Sequence, residues 1–454
     1  MSNSSDVQAK VEKNPFREIR IQKMEDLCAS GINPFPYKFE RTIKAQPLHE
    51  TYAHLEPGEE TTSEVKVAGR IMSMRNTGMF IDLYDDTGKV QIFSHKQFLG
   101  EQGLFLLKKL DIGDIIGVIG FVRRTPRGEL TINALKIEIL SKALLPLPEK
   151  YHGLTDVETR YRQRYLDLIM NETTRCTLRK RSKIISLMRR FLEERDFLEV
   201  ETPMLHTIPG GASALPFITH HNTLDMDLYL RIAPELFLKR LIVGGLAERV
   251  FEINRCFRNE GMSTRHNPEF TTLELYQAYA DYNDMMDVTQ DLIGYICQEI
   301  HGKMQVVFGD IEIDFSAPWR RVSMLDLIKE YTGLDFSTVE NLKESQVLAR
   351  SLGINVDHCD SWGKVVEAVF GEKVEPFLIQ PIHVIDFPRE ISPLAKVHRD
   401  NPRLTERFET YVNTWEIANA FSELTDPLDQ RKRFEAQVKA REAGDEEAQF
   451  LDED

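Results

Sequence analysis

Charged side chains that could do chemistry stand inside apolar, strand-like segments in the second half of the chain. They are Glu235, Arg258, Glu260, Glu274, Glu409, Glu416 and Glu423. Each of them alone could belong to a structural ion pair, because an unpaired buried charge is costly. Seven together in one half of the chain favour a shared site instead. Several anions beside few cations suit a cationic ligand, metal ions or both.

The short motifs of common nucleotide and zinc enzymes are missing from the sequence. It has no G-x-x-x-x-G-K-[ST] loop, no G-x-G-x-x-G after a strand and no H-E-x-x-H. P-loop and Rossmann enzymes are therefore disfavoured. The five cysteines are scattered and form no C-x-x-C pair, so neither a disulfide framework nor a zinc knuckle is expected.

The composition is that of an ordinary globular protein. The chain has 454 residues, with 57 Lys+Arg against 72 Asp+Glu and a formal net charge of −15. At about 150 residues per domain, two or three domains are expected. The acidic balance argues against a protein that coats nucleic acid by charge alone. The longest apolar run, Ile115 to Val122, is far shorter than the roughly 20 residues that span a membrane. Because the N-terminus has no apolar segment either, a cytoplasmic protein is expected.

Two regions with different residue patterns must position the charged groups. Residues 63–140 contain five β-rich runs and one helical insertion near 97–110, which is typical of an OB-fold barrel, although SH3-like barrels read similarly. A linker is predicted next, and beyond it the pattern becomes α+β, with a mostly helical stretch at 281–375. The strand-like runs there are residues 248–260, 269–279, 382–388 and 407–424. The later runs are predicted to continue the same sheet as the earlier ones.

An amphipathic helix is predicted near the N-terminus, over residues 9–28, with a break near Asn14 and Pro15. Its charged face carries Lys10, Lys13, Arg17, Arg20 and Lys23. Two interpretations stay open for this face: a solvated surface, or a contact with the backbone of a polyanion.

Two long runs carry a resemblance to a known family. PGGASALPFITHHNTLDMDLYLRIAPELFLKRLIVGG and RVFEINRCFRNEGMSTRHNPEFTTLELYQAYADY resemble the catalytic core of class II lysyl-tRNA synthetases. YRQRYLDLI at 161–169 fits the same family. The resemblance implies an α+β protein, with an N-terminal OB-fold barrel followed by an antiparallel-sheet catalytic domain with flanking helices. The implied segments are a lead-in at 1–60, an anticodon-binding domain at 61–142, a linker at 143–155 and the catalytic domain at 156–454.

The resemblance also implies roles for individual residues. Arg258 matches the catalytic arginine that binds the ATP α-phosphate and the amino-acid carboxylate. The implied ATP-binding residues are Arg258, Glu260, Arg265, His266, Asn267 and Phe270. The implied lysine-binding residues are Gly211, Glu235, Glu274, Tyr276, Asn419, Phe421 and Glu423. The implied Mg²⁺ ligands are Glu409 and Glu416. The residues implied to contact the anticodon are Phe80, Gln91 and Glu129, with phosphate contacts expected from Arg70, Arg75, Arg123, Arg124 and Arg127.

The implied activity is ATP- and Mg²⁺-dependent activation of L-lysine to lysyl-adenylate, followed by transfer to the 3′ end of tRNA(Lys). The family forms homodimers through its first motif, which maps here to the helix at 178–196 and the strand ending at Pro203, and it has no membrane segment. Two departures stand out. Leu215 replaces the family's usual arginine, and the third motif, G-x-G-x-G-x-D/E-R, does not occur after Glu423. An arginine for the ATP γ-phosphate is therefore expected to be lacking.

Two alternatives to this activity stay open. The first is a catalytically impaired protein that binds tRNA or dimerises, because the third motif is missing. The second is an aspartyl- or asparaginyl-tRNA synthetase, which shares the architecture. Those enzymes need a cation facing the substrate side chain, so the acidic trio Glu235, Glu274 and Glu423 argues against them.

Overall fold

The computed structural model describes residues 14–148, 154–212, 214–263, 266–339, 341–442 and 451–453, with only the backbone described at position 440. The chain divides into two compact units, Met1–Cys176 and Thr177–Asp454. The predicted linker at 143–155 lies partly outside the described residues, and the domain boundaries stay predictions. No helix in the described ranges combines the length and apolar character that crossing a membrane requires.

The first unit is built around a closed five-stranded barrel. Its strands are β1 (Glu60–Arg75), β2 (Phe80–Tyr84), β3 (Lys89–Phe93), β4 (Ile115–Arg124) and β5 (Leu130–Ser141). Its helices are α1 (Pro15–Ala29), α2 (Ala45–Thr51), α3 (Lys96–Lys109), α4 (Val157–Arg162) and α5 (Arg164–Met170). The strand order around the barrel is β1-β2-β3-β5-β4, and α3 lies between β3 and β4 in the chain. The five strands and the helical insertion predicted for an OB-fold are therefore confirmed.

Alternation along the strands explains why the barrel closes on an apolar interior. In β2, Ile81 and Leu83 are buried, while Phe80, Asp82 and Tyr84 alternate with them and are partly exposed. Side chains of a strand point to opposite faces in turn, so the first set fills the barrel and the second covers its outside. Gly120 permits a close approach of β4 to β5, since a Cβ there would lie 2.1 Å from the Asn133 carbonyl oxygen.

The N-terminal helix differs from its prediction. Helix α1 begins at Pro15, and the Asn14 side chain caps it by accepting a hydrogen bond from the Phe16 N–H at 3.0 Å. The predicted break is therefore a helix start, because proline is favoured in the first turn; residues 9–13 lie outside the described part. Arg20 is buried and donates to the Ile112, Ala143 and Leu145 carbonyls. The idea that Arg20 lies on a solvated or polyanion-binding face is wrong, since the side chain satisfies loop carbonyls.

The second unit is α+β, as predicted. Its helices are α6 (Glu172–Glu193, which begins in the first unit), α7 (Glu235–Val243), α8 (Tyr282–His301), α9 (Met324–Thr332), α10 (Leu342–Ser351), α11 (Trp362–Lys373) and α12 (Pro427–Glu442). Its strands are β6 (Leu198–Glu199), β7 (Leu205–His206), β8 (Ile218–His221), β9 (Met226–Leu230), β10 (Arg249–Phe257), β11 (Glu269–Gln277), β12 (Gln305–Phe308), β13 (Ile311–Asp314), β14 (Arg320–Ser323), β15 (Ile382–Pro388), β16 (Leu404–Val412) and β17 (Trp415–Phe421).

The strands of this unit form several hydrogen-bonded sheets. One has the order β11-β10-β6, another β14-β15-β16-β17, and smaller ones are β7-β9-β8 and β12-β13. The prediction that the late strands continue the sheet of the early ones is wrong for the described residues. Strand β15 is bonded on both sides, by β14 and β16, so the late strands pair among themselves. The segment 281–375 is largely helical as predicted, but it also contains the β12-β13 hairpin and the edge strand β14.

Candidate active site

Strand β11 presents two of the predicted lysine-binding side chains. It pairs antiparallel with β10, with Glu274 opposite Glu252 and Tyr276 opposite Val250. Residues two apart in a strand share a face, and the Tyr276 hydroxyl donates to Glu274 Oε2 at 3.2 Å. The structure thus brings a carboxylate and a phenol together at one point of the sheet.

Glu235 enters the same site from the start of α7. Pro234 precedes the helix, and Glu235 is its first residue and is buried. Gly211 lies against it with a φ of +87°, and a Cβ at that position would lie 3.0 Å from the Glu235 Cβ. Both the backbone conformation and the close approach favour glycine there. The structure therefore joins the predicted pair Gly211 and Glu235.

Glu423 follows β17 and is joined to Glu235 by Lys239, a residue not predicted from the sequence. The Lys239 ammonium lies 2.5 Å from Glu235 Oε1 and 2.6 Å from Glu423 Oε2. It also lies 5.9 Å from the centre of the Tyr276 ring and 5.5 Å from that of Phe421. Lys239 stands four residues after Glu235, a spacing that normally indicates a surface pair on one helix. The sequence therefore indicates a contact between Glu235 and Lys239, but it does not indicate that Lys239 also contacts Glu423.

The electrostatics of this cluster are unusual. Burial, followed by the Glu235 charge, raises the pKa of Glu274 to about 8. Burial also raises the pKa of Glu423 to about 7, against the opposing effect of Lys239. Burial and then the Glu235 carboxylate raise the pKa of the Tyr276 hydroxyl well above its usual range. Burial alone would lower the pKa of Lys239, but the Glu235 and Glu423 carboxylates raise it. Three acids beside one ammonium leave the cluster short of positive charge.

Arg258 stands immediately after β10, next to this cluster. Its guanidinium carbon lies 5.2 Å from the centre of the Phe270 ring, and its Nε is buried without a hydrogen-bond partner in the described part of the chain. A buried donor without a partner is costly. Its positive charge acts to lower the pKa values of both Glu274 and Glu416, so it lies electrostatically between the two groups of carboxylates. An oxyanion at this point would satisfy the guanidinium.

The loop between β10 and β11 holds the other predicted ATP-binding residues. The His266 N–H donates to the Ser263 hydroxyl at 3.1 Å, and the Asn267 side chain donates to the Glu269 carbonyl at 2.6 Å. Arg265 lies outside the described residues. Leu215, the departure from the family pattern, contacts the end of β10 through its backbone. Its carbonyl accepts from the Asn259 N–H at 2.8 Å, and its own N–H faces Glu260 Oε1 at 3.4 Å.

Strands β16 and β17 place the predicted metal ligands on neighbouring strands. Glu409 is opposite Asn419, and Glu416 is opposite Tyr411. Glu409 accepts from Arg407 at 2.6 Å and from the Tyr411 hydroxyl at 2.5 Å. Desolvation and then the Glu409 charge raise the pKa of Glu416 to about 7. Two carboxylates that repel each other suit a divalent cation. The described residues contain no cluster of three or more metal-binding side chains, so other ligands would have to complete the sphere.

A fully buried ion pair that was not predicted from the sequence, Arg231 with Glu252, supports the sheet beside these groups. Arg231 donates to Glu252 Oε1 at 2.8 Å, to the Arg255 carbonyl at 2.8 Å and to the Thr202 hydroxyl at 3.0 Å. Because Glu252 is opposite Glu274 in the ladder, like charges would face each other without Arg231. The pair therefore stabilises the part of the sheet that carries Glu274.

Comparison with known proteins identifies the family of this chain. Residues 156–453 match the tRNA synthetases class II (D, K and N), and residues 65–140 match the OB-fold nucleic acid binding domain. The lysine–tRNA ligase of Rhizobium meliloti (strain 1021) is 54% identical over 437 residues, which cover 96% of this chain and 88% of the relative. That of Carboxydothermus hydrogenoformans is 52% identical over 445 residues, covering 98% and 90%. The chain belongs to the lysine–tRNA ligase family of class II tRNA synthetases.

In this lysine–tRNA ligase family member, the three predicted anticodon contacts lie on one outer face of the barrel. Strands β2, β3 and β5 are neighbours, with Phe80 opposite Phe93 and Gln91 opposite both Asp82 and Thr131. Glu129 immediately precedes β5 and accepts from the Lys89 ammonium at 3.0 Å. The Phe80 and Phe93 rings are 5.1 Å apart. Phe80 is only half-buried, so it does not belong to the barrel core.

The arginines near this face differ in the groups that their side chains contact. Arg123 places its guanidinium carbon 4.4 Å from the centre of the Phe93 ring, beside the aromatic pair. Arg70 donates to the Gly113 carbonyl, and burial lowers its pKa despite the nearby Asp114. Arg124 donates to the Gly128 and Tyr52 carbonyls. Arg70 and Arg124 therefore hold barrel loops, whereas Arg75 and Arg127 are exposed.

Proposed function

We propose that this chain activates L-lysine with ATP to lysyl-adenylate and transfers the lysyl group to the 3′ end of tRNA(Lys). Family membership supports the reaction. The observation that carries the substrate assignment is the convergence of Glu235, Glu274 and Glu423 with Tyr276 and Lys239. Carboxylates without enough positive charge suit a substrate that brings two ammonium groups. An aspartate side chain would add a further negative charge to the same place.

In this proposal the two ends of lysine are held by different residues. Gly211 and Glu235 receive the α-ammonium, and Glu274, Tyr276 and Glu423 receive the ε-ammonium, with Asn419 and Phe421 beside the substrate. A neutral side chain would leave the carboxylates unpaired, and a site built around polar partners rejects such a competitor strongly. The raised pKa values of Glu274 and Glu423 support this assignment, because they come from burial and from the nearby Glu235 charge, which nearby cations do not fully offset.

The chemical step needs positive charge where the lysine carboxylate attacks the ATP α-phosphorus and pyrophosphate leaves. Arg258 is assigned to bind both the carboxylate and the α-phosphate, because a planar guanidinium holds two oxyanions in fixed geometry. Its buried Nε, which has no hydrogen-bond partner among the described residues, supports this role. Phe270 is assigned to the adenine ring. The remaining ATP contacts are assigned to Glu260, Arg265, His266 and Asn267. Positioning and charge stabilisation account for the rate, without a covalent enzyme intermediate.

Glu409 and Glu416 are the proposed Mg²⁺ ligands. Mg²⁺ is usually held by one or two carboxylates together with substrate phosphates and water, which matches the small number of acids available here. When bound, the ion would neutralise phosphate charge. Arg407 and Tyr411 hold the Glu409 carboxylate in place through its two oxygens.

Two partners complete the proposal. The barrel face of Phe80, Gln91 and Glu129 is assigned to the tRNA anticodon, since a partly exposed aromatic ring can stack on a splayed base while amides and carboxylates contact base edges. A second copy of the chain is assigned to the face of α6 and β6, where Leu178 and Leu198 are 41% and 44% exposed. Exposed apolar side chains on a family interface element support a homodimer.

The test is ATP–pyrophosphate exchange by the 454-residue chain, followed by aminoacylation of tRNA(Lys). Exchange should depend on L-lysine and should not respond to L-aspartate or L-asparagine. An aspartate-dependent exchange would contradict the substrate assignment. Binding of tRNA(Lys) without lysine-dependent exchange would instead identify a non-catalytic tRNA-binding protein.

A further inference from the structure

The lysine side chain of the protein itself lies in the proposed lysine site. The Lys239 ammonium contacts Glu235 and Glu423 at 2.5 and 2.6 Å, and these are the residues assigned to opposite ends of the substrate. The rings of Tyr276 and Phe421 flank it. Lys239 is therefore not a peripheral surface charge, although its side chain is 25% exposed.

Each carboxylate keeps capacity for a second cation. Lys239 uses Oε1 of Glu235 and Oε2 of Glu423, and within the described ranges the other oxygen of each group accepts no hydrogen bond. A carboxylate offers about four lone-pair positions. Lys239 and a substrate ammonium can consequently share one carboxylate, and substrate binding does not require Lys239 to leave.

The charges of the site agree with such sharing, given the proposed function. Glu235, Glu274 and Glu423 carry three negative charges when ionised, and Lys239 neutralises one of them. The remaining two match the two ammonium groups of lysine, while Arg258 is available for the substrate carboxylate. Without Lys239 the site would hold one negative charge too many, and burial would favour protonation of a carboxylate.

We propose that Lys239 is a specificity-determining residue that stays in the site with bound lysine and fixes the number of unpaired carboxylates at two. It acts by keeping Glu235 and Glu423 ionised and in position. This proposal deepens the proposed function, since it concerns how the same site selects a doubly charged amino acid.

The consequence is a defined change in pH dependence. The groups that face Glu423 and Lys239 are Glu235 from α7 and Tyr276 from β11. Glu274 from β11 lies beside Tyr276, and the charges of Arg258 and Arg231 act on Glu274. Lys239 holds the pKa of Glu423 down, whereas burial and Glu235 raise it. Removing the ammonium should therefore raise the pH below which Glu423 is protonated and binds an ammonium poorly. Lysine affinity should then be lost at a higher pH than in the unaltered protein.

The experiment measures the Kd of L-lysine by calorimetry from pH 6 to pH 8.5 for the unaltered chain and for Lys239→Met, Lys239→Gln and Lys239→Arg. Since one pKa unit corresponds to about tenfold in affinity, we expect Met and Gln to weaken binding by about tenfold near pH 7. We expect much less weakening at pH 8.5. The Arg variant, which keeps the charge, should follow the unaltered profile. Lys343→Met, at an exposed position of α10, is the matched control.

The lysine affinities of the Lys239 variants either support or overturn the proposal. Tighter lysine binding by the Met or Gln variant would show that Lys239 competes with the substrate and is displaced, which overturns the proposal. Unchanged affinity at all pH values would reduce Lys239 to a structural residue. If the Met variant fails to fold, the Gln variant keeps a polar side chain of similar length and carries the test. Because binding is measured directly, absence of catalysis in the exchange assay refutes the proposed function without affecting this result.

Discussion

Replacing Glu423 by glutamine should separate lysine recognition from ATP recognition. The substitution keeps the size of the side chain but removes one of the carboxylates assigned to the substrate ε-ammonium. Hydrogen bonds to charged groups contribute about 1.5–3 kcal/mol. At about 1.4 kcal/mol per factor of ten, the KM for lysine in ATP–pyrophosphate exchange should rise by about 10- to 150-fold. The KM for ATP should change little, because Arg258 and the β10–β11 loop remain intact.

The pH dependence of the KM for lysine provides a second test of this prediction. The pKa of Glu423 is raised to about 7, so its charged form is disfavoured below that pH. In the unaltered chain the KM for lysine should therefore increase as the pH falls through about 7. The glutamine variant should lose this part of the pH dependence, and the ratio of the two KM values should shrink toward pH 6. Glu416→Gln is the matched control and should raise the KM for ATP instead. An unchanged KM for lysine in Glu423→Gln would remove this residue from the site.

Further changes test the remaining parts of the molecule. Phe80→Ala should cost about 1–3 kcal/mol in tRNA binding, the usual contribution of one stacking ring, and leave exchange without tRNA intact; a collapse of that exchange would make Phe80 a folding residue. Arg258→Lys should lower the kcat of exchange by about 10²–10³, because an ammonium cannot bind two oxyanions in one plane; near-normal turnover would contradict its assignment. Glu252→Gln should destabilise the second unit by about 3–5 kcal/mol in denaturant unfolding by leaving Arg231 uncompensated, and exposed Glu194→Gln should have no comparable effect.

The local residue pattern was sufficient to predict the strands of the barrel. The β-rich runs at residues 78–86 and 89–95, together with turn residues between them, predict strands directly, and the structure has strands within these runs at Phe80–Tyr84 and Lys89–Phe93. The pattern does not state which strands pair. The expectation that β15 to β17 extend the earlier sheet was wrong for this reason, since pairing depends on contacts between distant parts of the chain.

The carboxylates of the active site were predictable, but their cationic partners were not. Acids inside apolar strands are unusual in a sequence, whereas Lys239 and Arg20 resemble the many basic residues of exposed helix faces. Only the fold shows that Lys239 reaches Glu423, and that Arg20 turns toward loop carbonyls. Arg231 and Glu252 are likewise separated along the chain and meet through the packing of β10 against its neighbours. The roles of these site residues in catalysis and binding stay predictions.

The two units also differ in when they can form during synthesis. The core of the first unit is assembled from residues between Leu27 and Ile139, so all of its contacts are available early. The second unit pairs β14 with β15 across the whole segment from residue 323 to residue 382, and β6 with β10 across some fifty residues. Domains generally fold as units, the N-terminal one first, as the chain leaves the ribosome. The barrel can therefore close while the catalytic sheet is still being made, and the surface assigned to tRNA precedes the adenylate-forming site in time.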